Sequence, residues 1–130
     1  MPAPRAFSYA VVRVVPHVER EEFINVGVIL FCAEQRYLGC RLLLDPVRLR
    51  ALAPTLDATQ IARHLDGLRA VCDGDASGGP IAAMSASERF HWLVAPRSAA
   101  IQTSPVHAGI SDDPAATLAH LFETLVAAPG

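Results

Sequence analysis

Three segments in the first third of the chain have the apolar, β-branched composition of strands. They are residues 7–15 (FSYAVVRVV), 23–32 (FINVGVILFC) and 37–44 (YLGCRLLL). The short AEQR connection between the last two predicts a hairpin. Side chains alternate sides along a strand. The even-numbered positions, apart from Ser8, therefore form an apolar face, and the odd-numbered positions mix aromatic residues with Arg, Asn and Gly.

This alternation also predicts the register of the hairpin. If even-numbered residues oppose even-numbered residues, the loop must hold an odd number of residues. A three-residue loop, residues 34–36, would set Phe31 opposite Gly39, and an aromatic ring would cover the glycine. A loop with an even number of residues would drive Arg41 into the apolar face, which is costly without a partner.

The rest of the chain predicts helices, because four capping signals precede helical patterns. These signals are Asp45-Pro46, Asp57, Ser85 with Glu88, and Asp112-Asp113-Pro114. Residues 99–104 read as extended, and residues 73–80 (DGDASGGP) as a flexible internal loop. Strands followed by helices predict one α+β domain over residues 1–130, with its core at about 7–127. Its antiparallel sheet should have about four strands, with three to four helices packed on one face.

The odd-numbered sheet face is the strongest candidate for binding. Aromatic and Arg residues surround a shallow notch at Asn25 and Gly27, and this composition is typical of binding hot spots. The alternative is an ordinary solvated face, or a face covered by the C-terminal part of the chain. The predicted contact residues are Tyr9, Arg13, Phe23, Asn25, Phe31, Tyr37 and Arg41.

A second candidate site lies in the polar stretch 91–113. His91, Ser98, His107 and Asp112 supply the ingredients of a hydrolase, namely hydroxyl, imidazole and carboxylate groups. Without a G-x-S-x-G elbow, however, their order in the sequence does not identify a site. Arg97 and Ser98 offer donors for an anion. The simpler interpretation of Arg97 is a structural residue that ties down the loop.

The composition and the net charge argue against several classes of function. The net charge of −2 argues against bulk electrostatic binding of nucleic acid. All 11 basic residues are Arg, which excludes a GK[ST] phosphate loop and a Schiff-base lysine. The three cysteines have no zinc-site spacing and are predicted to be buried free thiols in a reducing cytoplasm. No apolar run is long enough to span a membrane, and no metal or cofactor is predicted.

Four stretches resemble one bacterial family, the uncharacterised domain of unknown function 3037. They are YAVVRVVP, EEFINVGVILF, SERFHWLVAPRSAAIQTSPVHAG and DDPAATLAHLFETLV, and the resemblance covers roughly residues 7–127. It implies no activity and no catalytic residues. It does imply association with a HipA-like Ser/Thr kinase, because genes of the family often neighbour such a kinase. The predicted function is therefore a small cytoplasmic protein-interaction or accessory module, whose partner is such a kinase or a second copy of the chain. The hydrolase or anion site remains the alternative.

Overall fold

The structure, a computed structural model, describes residues 4–96 and 99–127. Within these residues it contains a five-stranded antiparallel sheet and four α-helices, which confirms the predicted α+β class. The strands are β1 (Arg5–Val14), β2 (Ile24–Cys32), β3 (Tyr37–Leu42), β4 (Ile101–Thr103) and β5 (His107–Ser111). The α-helices are α1 (Pro46–Leu52), α2 (Ala58–Asp73), α3 (Ala86–Leu93) and α4 (Pro114–Phe122). A π-helical turn, Glu123–Ala127, continues α4.

The helices begin at the predicted capping residues. Asp45, Asp57, Ser85 and Asp113 each accept a hydrogen bond from a backbone N–H group in the first turn that follows. Such side-chain acceptors satisfy donors that have no partner within the helix. The segment 73–80, predicted as a flexible loop, takes the chain from the end of α2 into two short 3₁₀ helices, Ala76–Gly78 and Pro80–Ala83.

The long strand β1 is the centre of the sheet. One side of β1 pairs with β2, and the other side pairs with both β4 and β5. Ser104 lies between these two short strands, where its N–H donates to the Val11 carbonyl at 2.8 Å and its hydroxyl accepts from the Val11 N–H at 2.9 Å. β5 was not predicted. The sheet order is β3-β2-β1, and β4 and β5 lie one after the other along the far side of β1.

A β-bulge in β2 changes the predicted faces. Val12 pairs with Gly27, but Arg13 pairs with Asn25, so Val26 has no opposite residue on β1. One extra residue reverses the alternation of the strand beyond it. The side chains of residues 28–32 therefore point to the faces opposite to those predicted. The even-numbered residues Val28, Leu30 and Cys32 lie on the face predicted for odd-numbered residues.

The bulge also explains why the predicted hairpin register is wrong. The loop has four residues, 33–36, and Leu30 rather than Phe31 lies opposite Gly39. Because the bulge has already turned the end of β2 over, an even loop keeps Arg41 out of the apolar face. Gly39 is nevertheless covered by an aromatic side chain, since a Cβ atom there would lie 2.8 Å from Cζ of Tyr37.

Helices cover both faces of the sheet, which differs from the prediction of one covered face. α1, α2 and α3 pack on one face, and their main buried cluster includes Val12, Val14, Ile29, Leu65 and Phe90. α4 and its π-helical turn pack on the other face, against Val28, Leu30 and Cys32. The physical reason is the bulge in β2, because it gives that strand large apolar side chains on both sides.

Candidate interaction surface

The C-terminal helix covers much of the predicted binding face. Leu118 and Val126 are buried against it, and Tyr9 and Tyr37 pack at the margin of the same cluster. Burial raises the pKa of Tyr37 above its usual value. The seven predicted contact residues therefore do not form one open surface, because the chain itself fills the face that they were expected to offer to a partner.

Asn25 and Gly27, which interrupt the apolar run of β2, both have packing roles. The Asn25 side-chain amide donates to the Leu125 carbonyl at 3.2 Å and so ties down the π-helical turn. At Gly27 a Cβ atom would lie 2.7 Å from the carbonyl oxygen of Arg41 on β3. The notch expected from the sequence is the place where two other segments of the chain approach β2.

The remaining predicted contact residues are separated from one another. Phe31 lies on the opposite face because of the bulge, and its ring stacks on Phe90 with centroids 5.3 Å apart. The Arg13 guanidinium lies 4.1 Å from the centre of the Phe23 ring, and Phe23 remains 44% exposed. Arg41 is exposed on β3, with its guanidinium 6.0 Å from the centre of a ring in α4.

The polar stretch 91–113 does not form one pocket within the described residues. His91 is exposed on α3, where Nδ1 hydrogen-bonds the Ser87 carbonyl at 2.7 Å. His107 lies on β5 beside Tyr9, with ring centroids 5.2 Å apart, so the sheet separates it from His91. Asp112 is exposed after β5. Arg97 and Ser98 lie outside the described residues, so the anion site predicted there has no structural account.

The described part of the chain shows neither a metal-binding cluster nor a membrane-spanning helix. Among residues 4–96 and 99–127, no three His, Cys, Asp or Glu side chains gather in a way that could hold a metal ion. No helix in these ranges combines the length and the apolar character needed to cross a bilayer.

A groove that the sequence did not predict runs along the outer edge of β3. In the described chain β3 pairs only with β2 and ends the sheet. The groove has a volume of about 370 Å³. β3 forms its floor, and α2 and α4, on opposite faces of the sheet, form its walls. We call it the β3 edge groove, and its lining residues are Cys40, Arg41, Leu42, Arg69, Asp73 and Phe122.

The backbone of β3 directs hydrogen-bonding groups into this groove. The Leu43 N–H donates to the Val26 carbonyl at 2.7 Å. This bond shows that the backbone N–H and C=O groups of the odd-numbered residues in this segment point toward β2. Successive residues of an antiparallel strand alternate in this respect. The N–H and C=O groups of Leu38, Cys40 and Leu42 therefore point outward. β3 contains no Pro and no bulge, which are two of the devices that protect an edge strand, and its one charged side chain, Arg41, lies toward a ring of α4.

Opposite charges on α2 line one wall of the groove. Arg69 and Asp73 are both exposed and lie one helical turn apart. Neither takes part in the ion pairs that link described residues. The wall therefore offers one positive and one negative group to a molecule that enters the groove.

Among the described residues, the fold and this groove define a small α+β domain whose sheet ends on the β3 side in a helix-walled edge. Residues 9–126 match the family described as protein of unknown function DUF3037. This match covers most of the chain, so the chain belongs to that family, and the resemblance seen in the four sequence stretches is confirmed. No curated protein and no solved structure gave a match.

Proposed function

We propose that the chain is a cytoplasmic protein-interaction module that associates by adding a strand to β3. The observation that carries this proposal is the β3 edge groove, which leaves an unpaired strand edge open between two helices. An added strand satisfies the outward N–H and C=O groups, and the walls supply contacts for its side chains. The cysteines are free thiols, which suits a reducing compartment.

The occupant that the groove favours is a second copy of this chain. Two β3 strands can pair antiparallel about a two-fold axis at Cys40, so that Leu38 of each copy opposes Leu42 of the other. Cys40 interacts with Cys72 in the last turn of α2, so this axis passes close to that turn. The two α2 helices then run antiparallel, and Arg69 of each copy approaches Asp73 of the other.

A charge exchange on α2 tests this arrangement. Light scattering on a sizing column should give twice the monomer mass of 13.9 kDa for the wild type. Arg69→Asp and Asp73→Arg should each weaken the dimer at least about tenfold, because each places like charges together at two symmetric contacts. The double variant carrying both changes should regain the dimer, because it restores opposite charges.

A matched control separates this effect from a general change in charge. Arg63 is also exposed on α2 but lies outside the β3 edge groove, so Arg63→Asp should leave the dimer unchanged. Circular dichroism should show all four variants folded. A monomeric wild type, or a dimer that neither single exchange weakens, would show that the second copy does not occupy the groove.

The family resemblance supplies one further partner to test, a HipA-like Ser/Thr kinase. We propose that such a kinase binds the dimer as a protein partner. Mixing it with the wild type and with Asp73→Arg distinguishes two outcomes. A kinase that binds only the monomeric variant competes for the groove and would replace the second copy as its occupant. A kinase that binds the wild type uses a different surface of the dimer.

A further inference from the structure

Cys40 and Cys72 bring two thiols together where α2 packs on β3. Cys72 is fully buried in the last turn of α2, whereas Cys40 is partly exposed and lines the β3 edge groove. Cys72 belongs to the main buried cluster, and Cys40 packs against that cluster, where the two thiols interact. The third cysteine, Cys32, is buried on the opposite face, where its thiol donates to the Ala6 carbonyl at 3.4 Å. It provides a control thiol within the same chain.

The surroundings give the two thiols different roles. The hydrogen bond from Cys72 lowers the pKa of Cys40, and Arg69 acts in the same direction, although burial and Asp73 oppose them. The same hydrogen bond and burial raise the pKa of Cys72. Because Cys40 is partly exposed and Cys72 is fully buried, Cys40 is the thiol that ionises first, and Cys72 is the donor that stabilises the thiolate.

We propose that Cys40 and Cys72 form a reversible disulfide site that a peroxide oxidises through the β3 edge groove. The Cys40 thiolate attacks one peroxide oxygen, the O–O bond breaks, and the departing oxygen takes a proton, which leaves a sulfenic acid on Cys40. The Cys72 sulfur then attacks the Cys40 sulfur. The S–O bond breaks, and the hydroxide leaves as water with the Cys72 proton. The two thiols have lost two electrons to the peroxide.

This site does not depend on the proposed dimer, because both thiols belong to one chain. A second copy in the groove would cover Cys40, so oxidation should be faster in a monomer. Asp73→Arg is suited to this comparison, because it is expected to weaken the dimer and also removes a carboxylate that opposes ionisation of Cys40. If the wild type proves monomeric but the disulfide forms, the dimer proposal fails and this one stands.

The test is peptide mapping after oxidation with hydrogen peroxide. The chain has no Lys, so trypsin cuts only after Arg, and the three cysteines fall in separate fragments: 21–36, 37–41 and 70–89. The intact mass should fall by about 2 Da as two hydrogens are lost. Fragments 37–41 and 70–89 should be joined, and dithiothreitol should release them. Fragment 21–36 should carry a free thiol that reacts with maleimide only after unfolding.

Variants identify the role of each cysteine. Cys32→Ser should form the same link as the wild type. Cys72→Ala keeps the site apolar and should stop oxidation at the Cys40 sulfenic acid, which dimedone captures. The proposal is overturned if peroxide leaves both thiols free in the wild type and in Asp73→Arg. A link that includes Cys32, or one that joins Cys40 to Cys40 of another copy, would overturn it equally.

Discussion

Replacing Gly27 by Ala tests whether the close approach of β3 requires glycine at the bulge. A Cβ atom at this position would lie 2.7 Å from the Arg41 carbonyl oxygen and would overlap Cδ2 of Leu42. The Leu42 side chain can turn away, but the carbonyl belongs to the backbone of β3. Next to it, the Leu43 N–H donates to the Val26 carbonyl at 2.7 Å. β3 must therefore move away from β2, and this hydrogen bond is strained.

The size of the effect follows from these two contacts. Overpacking a tight site costs about 1–3 kcal/mol, and weakening one buried hydrogen bond costs about 0.5–1.5 kcal/mol. We expect Gly27→Ala to lower the free energy of unfolding by about 2–4 kcal/mol. Gly67, in the middle of α2, provides the matched control, because no atom lies within 4 Å of its would-be Cβ. Gly67→Ala should raise the free energy of unfolding by about 0.5–1 kcal/mol.

Urea unfolding followed by far-UV circular dichroism measures both values. The two substitutions add the same methyl group and differ only in its surroundings, so the opposite signs are the informative result. A Gly27→Ala protein as stable as the wild type would mean that β2 and β3 do not approach as closely as described. The account of the bulge and of the two sheet faces would then have to be abandoned.

Three further substitutions test the packing. Ser104→Ala removes the acceptor of the buried Val11 N–H and should cost about 1–3 kcal/mol in urea unfolding; no loss would contradict this bond. Asp57→Ala removes the cap of α2 and should cost about 1 kcal/mol by thermal denaturation; unchanged stability would contradict the cap. Phe90→Ala vacates the contact with Phe31 and should cost about 3–5 kcal/mol in urea; a loss under about 1 kcal/mol would place Phe31 elsewhere.

The helices could be predicted because their signals are local. Asp45, Asp57, Ser85 and Asp113 bond to N–H groups only two or three residues along the chain, so each signal and its effect lie within one turn. The apolar composition of β1, β2 and β3 predicted these strands for the same reason. β5 was not predicted, because HAGIS has little apolar periodicity. Its partner, β1, also lies about a hundred residues earlier in the sequence.

The candidate surface was harder to predict because it depends on a bulge and on tertiary contacts. Gly27 signals a bulge in principle, but only the approach of Leu42 shows that glycine is required there. Because the bulge reverses the alternation of β2, the face on which Phe31 lies depends on contacts across the sheet and not on its position in the sequence. The β3 edge groove could be found only from the order of the strands. The absence of Pro from YLGCRLLL was the one sequence signal for it.

The central position of β1 has a consequence for how the domain folds. Its neighbour on one side follows almost at once in the chain, whereas Ser104 and the short strands on its other side come some ninety residues later. Contacts between segments this far apart require the closure of a long loop and slow the folding of a domain. A chain in which only β1 and β2 had paired would expose the other side of β1 until β4 and β5 pair with it. Until Ser104 bonds to Val11, that side of β1 is an unpaired strand edge, which can pair with a wrong segment.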